Sequence, residues 1–148
     1  MLVVLIMVGV FLVDQVSKLY LISIMEPGES TPVLENIFHI TYVKNPGAAF
    51  GILEHQTGLF IGIAVLLVMA VLYYYPRLPA GHRLMRIGIG LQLGGALGNM
   101  LDRLRVGYVI DFLDFRIWPV FNVADMAIVI GVGLLLWEIL YMPENEKV

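Results

Sequence analysis

Few side chains in this sequence could do chemistry, and most of them are aspartates. The ionisable residues inside or beside apolar stretches are Asp14, Lys18, Asp102, Arg103, Asp111, Asp114, Asp125 and Glu138. A charged group at the centre of a bilayer costs about 3 kcal/mol on the insertion scale, so each needs a reason to be there. Asp102, Asp111 and Asp125 gather around the junction of the last two apolar stretches. Two carboxylates brought close do not both ionise readily: one pKa rises and the pair holds a single proton. The ionised member then activates water, while the protonated member polarises a carbonyl and protonates a leaving amine. That is aspartic protease chemistry.

Other chemistries find less support. There is no cysteine, which removes thiolate ligands, cysteine nucleophiles and disulfides together. His39, His55 and His82 are far apart in the chain, and no H-E-x-x-H or G-x-S-x-G occurs. Ser17 and Lys18 are adjacent, and neighbours on a helix point in different directions, so they do not form a dyad. No phosphate-binding or dinucleotide fingerprint is present. Neither a metal nor an organic cofactor is therefore expected. The net charge of -3 gives no reason to expect nucleic acid.

Each acid also has a plain structural reading. Asn122 followed by Asp125 has the spacing of a helix N-terminal cap. Asp102 beside Arg103 suits an interfacial ion pair. Asp111 and Asp114 could solvate a loop. Asp14 and Lys18 lie four apart and could pair on one helix face. Glu138 is expected to reach water and is assigned no role. Gly90, Gly94 and Gly98 form a small-residue stripe suited to close helix packing.

The elements that must position these residues follow from composition. Hydrophobic residues make up 59% of the 148 and charged residues 14%, against about 25% charged in soluble domains. Lipid is the implied solvent. Four stretches approach the ~20 apolar residues needed to span, at about 2–24, 57–75, 84–101 and 123–141. The fold class predicted is all-α integral membrane, a four-transmembrane-helix bundle forming one domain over 1–148. The first stretch lacks a basic n-region and a cleavage site and reads as a retained helix. The connection Pro76–Arg86 is basic and free of acids, which places it in the cytoplasm. Both termini are then cytoplasmic, and the connections around 26–56 and 103–121 lie outside. The positive charges of Arg103, Arg105 and Arg116 run against this rule, but they sit among Asp102, Asp111 and Asp114. The segment at about 30–53 is too polar to span and predicts a small extracytoplasmic β element. Within it, Ile37–Val43 suits a strand and Asn45-Pro46-Gly47 a turn.

Five blocks together resemble the lipoprotein signal peptidase (signal peptidase II) family. They are Asp14-Gln15-Val16-Ser17-Lys18, Asn45-Pro46-Gly47-Ala48-Ala49-Phe50, Gly94 through Arg103, Val109-Ile110-Asp111-Phe112, and Phe121-Asn122-Val123-Ala124-Asp125. Singly each is weak; in this order they are specific. The resemblance implies a membrane aspartic endopeptidase of the bacterial inner membrane. Its implied partners are prolipoproteins, cleaved just before a diacylglyceryl-modified cysteine, and membrane lipids; a monomer is expected. It implies Asp111 and Asp125 as the catalytic pair. Asn99, Arg103 and Asn122 match residues lining or bracing the site, and Asn45 and Asp14 match supporting positions. Lys18, Gly47 and Ala124 fall in the same blocks and are grouped with them. Asp102 matches a structural partner and is the reserve candidate should Asp111 fail. Two departures stand out: Pro46 where the family has threonine, and Met126 where serine is common.

Two rivals remain open at this point. One is a small transporter or channel using Asp14, Asp125 and Glu138 as a buried relay. The other is a membrane chaperone that holds apolar tails.

Overall fold

The computed structural model describes residues 1–47, 53, 56–77 and 81–141. Ala48, Ala49 and Phe50 of the turn block, His55, and residues 78–80 of the basic connection lie outside the described residues. The elements run in the order α1 (Leu2–Ile24), β1 (Ser30–Leu34), β2 (Phe38–Asn45), α2 (Thr57–Tyr74), α3 (Arg83–Val106), β3 (Val109–Asp114) and α4 (Val123–Tyr141). A 3-10 turn at Tyr75–Arg77 extends α2. Among the described residues, three helices are long and apolar enough to cross a membrane: Leu2–Ile24, Thr57–Arg77 and Val123–Tyr141. Large apolar side chains such as Leu5, Leu66, Leu72, Val129 and Leu140 remain exposed along them, as lipid-facing surfaces must.

Helix α3 is the hub, packing against each of the other three helices. Its glycines make this possible. A Cβ at Gly94 would fall 2.7 Å from Met7 O and from Val10 Cβ of α1, and one at Gly88 would fall 2.8 Å from Gly131 O of α4. The expected stripe of Gly90, Gly94 and Gly98 is thus a packing surface against α1, and Gly88 and Gly95 add a second one against α4. At Gly98 a Cβ would collide with the Asp14 carboxylate. The missing side chain there makes room for a buried acid.

The helix runs to Val106, beyond the expected end near residue 101. Arg103 and Arg105 in its last turn suit the negative end of the helix dipole. Gly107, at φ 83, supplies the left-handed residue that ends it.

The β element is a three-stranded antiparallel sheet in the order β1-β2-β3. Its entry is a turn with Pro27 and Gly28 at the centre, Gly28 at φ 90, closed by Glu29 N–H donating to Glu26 O at 3.0 Å. Strand β2 covers the expected Ile37–Val43 region nearly residue for residue. Strand β3 is an addition, since the segment around Asp111 reads as a connection in the sequence. Asp111 pairs with Val43 and Asp114 with His39. Nearly every β3 residue is buried, on both faces of the strand. Its two acids hide the alternation that marks a half-buried strand. Leu21 and Met25 of α1, Tyr42 of β2, and Ile110 and Phe112 of β3 form an apolar cluster that seats the sheet on the helices.

Candidate active site

Strand β3 leads back to the start of α4, and the two meet the end of α3 at one wall of a cavity of about 460 Å³. Asp111 and Asp125 both line it, with Asn45, Asn99 and Arg103. Most of the remaining wall is apolar: Phe60, Ile63, Ala64 and Leu67 of α2, Ile128 and Val129 of α4, and the 118–121 connection. Ile63 of α2 and Val129 of α4, both on this wall, are also exposed at the molecular surface.

Three asparagines organise the two carboxyl groups, each with its carbonyl pinned and its amide N–H turned to an acid. Asn45 Oδ1 accepts from Gly47 N–H at 2.9 Å, and Asn45 Nδ2 donates to Asp111 Oδ2 at 2.8 Å. Asn122 Oδ1 accepts from Asp125 N–H at 2.9 Å, and Asn122 Nδ2 donates to Asp111 Oδ1 at 2.6 Å. Asn99 Oδ1 accepts from Lys18 Nζ at 3.0 Å, and Asn99 Nδ2 donates to Asp125 Oδ1 at 2.7 Å. Asp125 Oδ2 in turn accepts from Asn122 N–H at 3.3 Å.

Asn122 and Asp125 therefore form a reciprocal cap on α4, and the same Asn122 holds Asp111. Asn122 thus caps α4 through its carbonyl oxygen and holds Asp111 through its amide nitrogen. Because Gly47, not residue 46, supplies the N–H of the Asn45 turn, Pro46 leaves that turn intact. Met126 is exposed and lies off the cavity wall.

The Asp111 carboxyl lies on strand β3, and its pKa is shifted by its surroundings. Burial pushes its carboxyl up to about 7, and the negative charge of Asp125 adds to the shift. The Asn45 and Asn122 donors and the Lys18 charge pull the other way. A carboxyl that keeps a proton near neutrality, beside a second carboxyl on the same wall, can serve as acid and base in one reaction. Among the described residues, no group of three His, Asp or Glu side chains converges to hold a metal ion.

The remaining candidates fall behind or above this wall. Asp14 and Lys18 pair at 2.8 Å, as their spacing suggested, and both are buried. Asp14 Oδ1 also accepts from Ala124 N–H at 3.0 Å. Asp102 does not pair with Arg103. It faces the opposite way, 2.8 Å from Lys18 Nζ, and accepts from Ile110 N–H at 3.3 Å. It is absent from the cavity wall. Arg103 instead lies over the Phe60 ring at 4.3 Å and donates to Gly47 O at 2.9 Å, tying the turn down over the site.

Asp111 and Asp114 do not solvate a loop; both are buried, and Asp114 accepts from Thr41 Oγ1 at 2.8 Å. Glu138 does not simply reach water, but sits 3.1 Å from His82 Nδ1. Gln15, not singled out in the sequence, donates toward Asp14, Asp102 and Gly98 O at 3.1–3.2 Å. The signal was there: an amide inside an apolar helix needs partners as a charge does.

Comparison with known proteins identifies the family. A family model described as signal peptidase (SPase) II matches residues 6–141. A lipoprotein signal peptidase of Moorella thermoacetica is 53% identical, covering 93% of this chain and 91% of that protein. One of Halothermothrix orenii is 50% identical, covering 94% and 93%. A solved structure described as a bacterial membrane enzyme is similar with a TM-score of 0.87 at 35% identity, over 98% of this chain and 91% of its own. This chain belongs to the signal peptidase II family, and so to the proteases.

Proposed function

We propose that this protein removes signal peptides from bacterial prolipoproteins, cutting just before the diacylglyceryl-modified cysteine, with Asp111 and Asp125 as the catalytic pair. The observation that carries this is the joint hold of Asn122 on both acids at the wall of a largely apolar cavity, two of whose lining residues, Ile63 and Val129, are also exposed. Asp111 holds the proton, and Asp125 is the base. Water between them loses a proton to Asp125 as its oxygen bonds to the carbonyl carbon preceding the cysteine. Asp111 donates a hydrogen bond to the carbonyl oxygen. As the C–N bond breaks, the leaving amine takes a proton from the pair, which returns to its starting charge. The acyl chains lie along Ile63, Leu67 and Val129, and the polar turn at Asn45–Gly47 closes over the peptide. Asn99, Arg103, Asp14, Asp102, Gly47 and Ala124 support this wall.

The chain acts as one domain crossing the inner membrane four times. Helix α3 has 24 residues, about 36 Å at 1.5 Å per residue, which suffices to span. Its charges, Arg83, Arg86, Asp102, Arg103 and Arg105, fall toward its two ends. Arg77 and Arg83 mark the cytoplasmic end and the sheet marks the outer end. Both acids and the partners described for them belong to one chain, so a monomer suffices.

A carboxylate relay is less well supported. Asp14 is fastened to Lys18 and Ala124, and Glu138 to His82, leaving Asp125 alone of the three on the cavity wall. The test is incubation of purified protein in detergent with a lipidated precursor, read on a gel. Cleavage that is lost in both Asp111→Asn and Asp125→Asn supports the proposal. Full-rate processing by either variant refutes the pair, and no cleavage by the unaltered protein refutes the activity.

A further inference from the structure

Lys18 is almost completely buried, at 1% exposure, and stands off the cavity wall. An ammonium has three N–H donors, and all three are spent: on Asp14 Oδ2 at 2.8 Å, Asp102 Oδ2 at 2.8 Å and Asn99 Oδ1 at 3.0 Å. None is left for a substrate. Two anions and one cation in an apolar interior are no economical way to hold helices together, since well-packed apolar residues commonly do as well or better. The third bond distinguishes this cluster from a plain ion pair. It goes to a neutral amide whose other end touches Asp125.

An asparagine amide is nearly symmetric in shape, and its orientation is decided by its neighbours. Asn99 Oδ1 meets two donors, Lys18 Nζ and Asn122 Nδ2 at 3.1 Å. Turned over, Asn99 would set its N–H groups against both donors and its carbonyl oxygen against Asp125. Of the two donors only Lys18 is charged, and Asn122 Nδ2 makes its shorter bond to Asp111 at 2.6 Å.

We propose that Lys18 is a positioning residue: it fixes the Asn99 amide so that its N–H orients the Asp125 carboxylate toward the reacting water. The inference rests on Asp125 being one of the catalytic pair. It assigns Lys18 no contact with substrate. Its loss should therefore lower kcat and leave KM nearly alone.

The test is a double-mutant cycle on the full-length protein in detergent, with Lys18→Met and Asn99→Ala. Lys18→Met is expected to lower kcat about 10- to 100-fold, the usual effect of removing a partner that orients a reacting group. KM should stay within about twofold, because the cavity wall is untouched. With Asn99→Ala already present, adding Lys18→Met should cost little more. Equal losses in both backgrounds would mean that Lys18 acts through the scaffold and would overturn the proposal. An unchanged kcat, or a change confined to KM, would overturn it too.

Should Lys18→Met fail to fold, Lys18→Met with Asp102→Asn keeps the net charge of the buried cluster. It is then compared with Asp102→Asn alone, with and without Asn99→Ala, by the same criteria. Asp111→Asn and Asp125→Asn are run alongside. If they retain cleavage, the catalytic pair itself is wrong. If they are inactive while the cycle is additive, only the role of Lys18 is.

Discussion

Asn122 donates to Asp111 Oδ1 at 2.6 Å while its own carbonyl oxygen caps the helix that carries Asp125. One side chain thus ties a strand residue to a helix start and sets the mutual placement of two acids. Asn122→Ala should do two separable things. Losing the cap costs about 1 kcal/mol of stability, readable as a lower thermal midpoint in detergent. Losing the hold on Asp111 should lower cleavage by about 100-fold or more, far beyond what the stability change explains at a temperature where the variant is folded.

The pH dependence follows from Asp111. Its carboxyl, pushed up to about 7 by burial and by Asp125, keeps its proton below that pH and loses it above. A reaction that needs one proton on the pair should slow as pH rises through about 7. The Asn45 donor holds the Asp111 pKa down, so Asn45→Ala should move this falling limb to higher pH. A limb that stays put or moves lower would contradict the assignment. The measurement is the pH profile of kcat for both proteins.

Gly98 and Gly9 make a matched pair. A methyl group at Gly98 would strike the Asp14 carboxylate, whereas one at Gly9 meets nothing within 4 Å. Gly98→Ala should destabilise by about 1–3 kcal/mol and disturb the Asp14–Lys18–Asp102 cluster. Gly9→Ala should be silent in thermal unfolding and in cleavage.

Ala64 of α2 lines the cavity opposite the acids and is buried. Ala64→Phe fills space assigned to the acyl chains while leaving the carboxyl groups alone. Its KM for a lipidated precursor should rise about tenfold or more, with a smaller effect on kcat. An unchanged KM would place the lipid elsewhere.

Glu138 pairs with His82 at the end of the bundle away from the sheet. Glu138→Gln should leave precursor cleavage within about twofold of normal, because neither residue of that pair lines the cavity. A proton-relay protein would lose its activity on the same change, so this variant separates the two readings.

The amino-acid sequence by itself determined the solvent and the spans. Hydropathy accumulates along the chain, so α1, α2 and α4 could be bounded within a residue or two without knowing their neighbours. The β-branched and aromatic run of β2 and the gathering of acids between the last two helices were local in the same sense. Strand β3 was not legible. It is buried on both faces, and its acids find partners from other elements, so its pattern resembles neither strand nor helix.

Only the tertiary structure decided the pairings. Asp102 sits next to Arg103 in the chain, and adjacency alone suggests a bond between them. Yet it chose Lys18, because its position on α3 faces α1 while Arg103 faces the cavity. Lys18 and Asn99 are 81 residues apart, and no window along the chain relates them. The amide orientations and the raised pKa of Asp111 depend on which groups meet after the helices pack. Burial and partner choice are properties of the packed whole, and they set the chemistry.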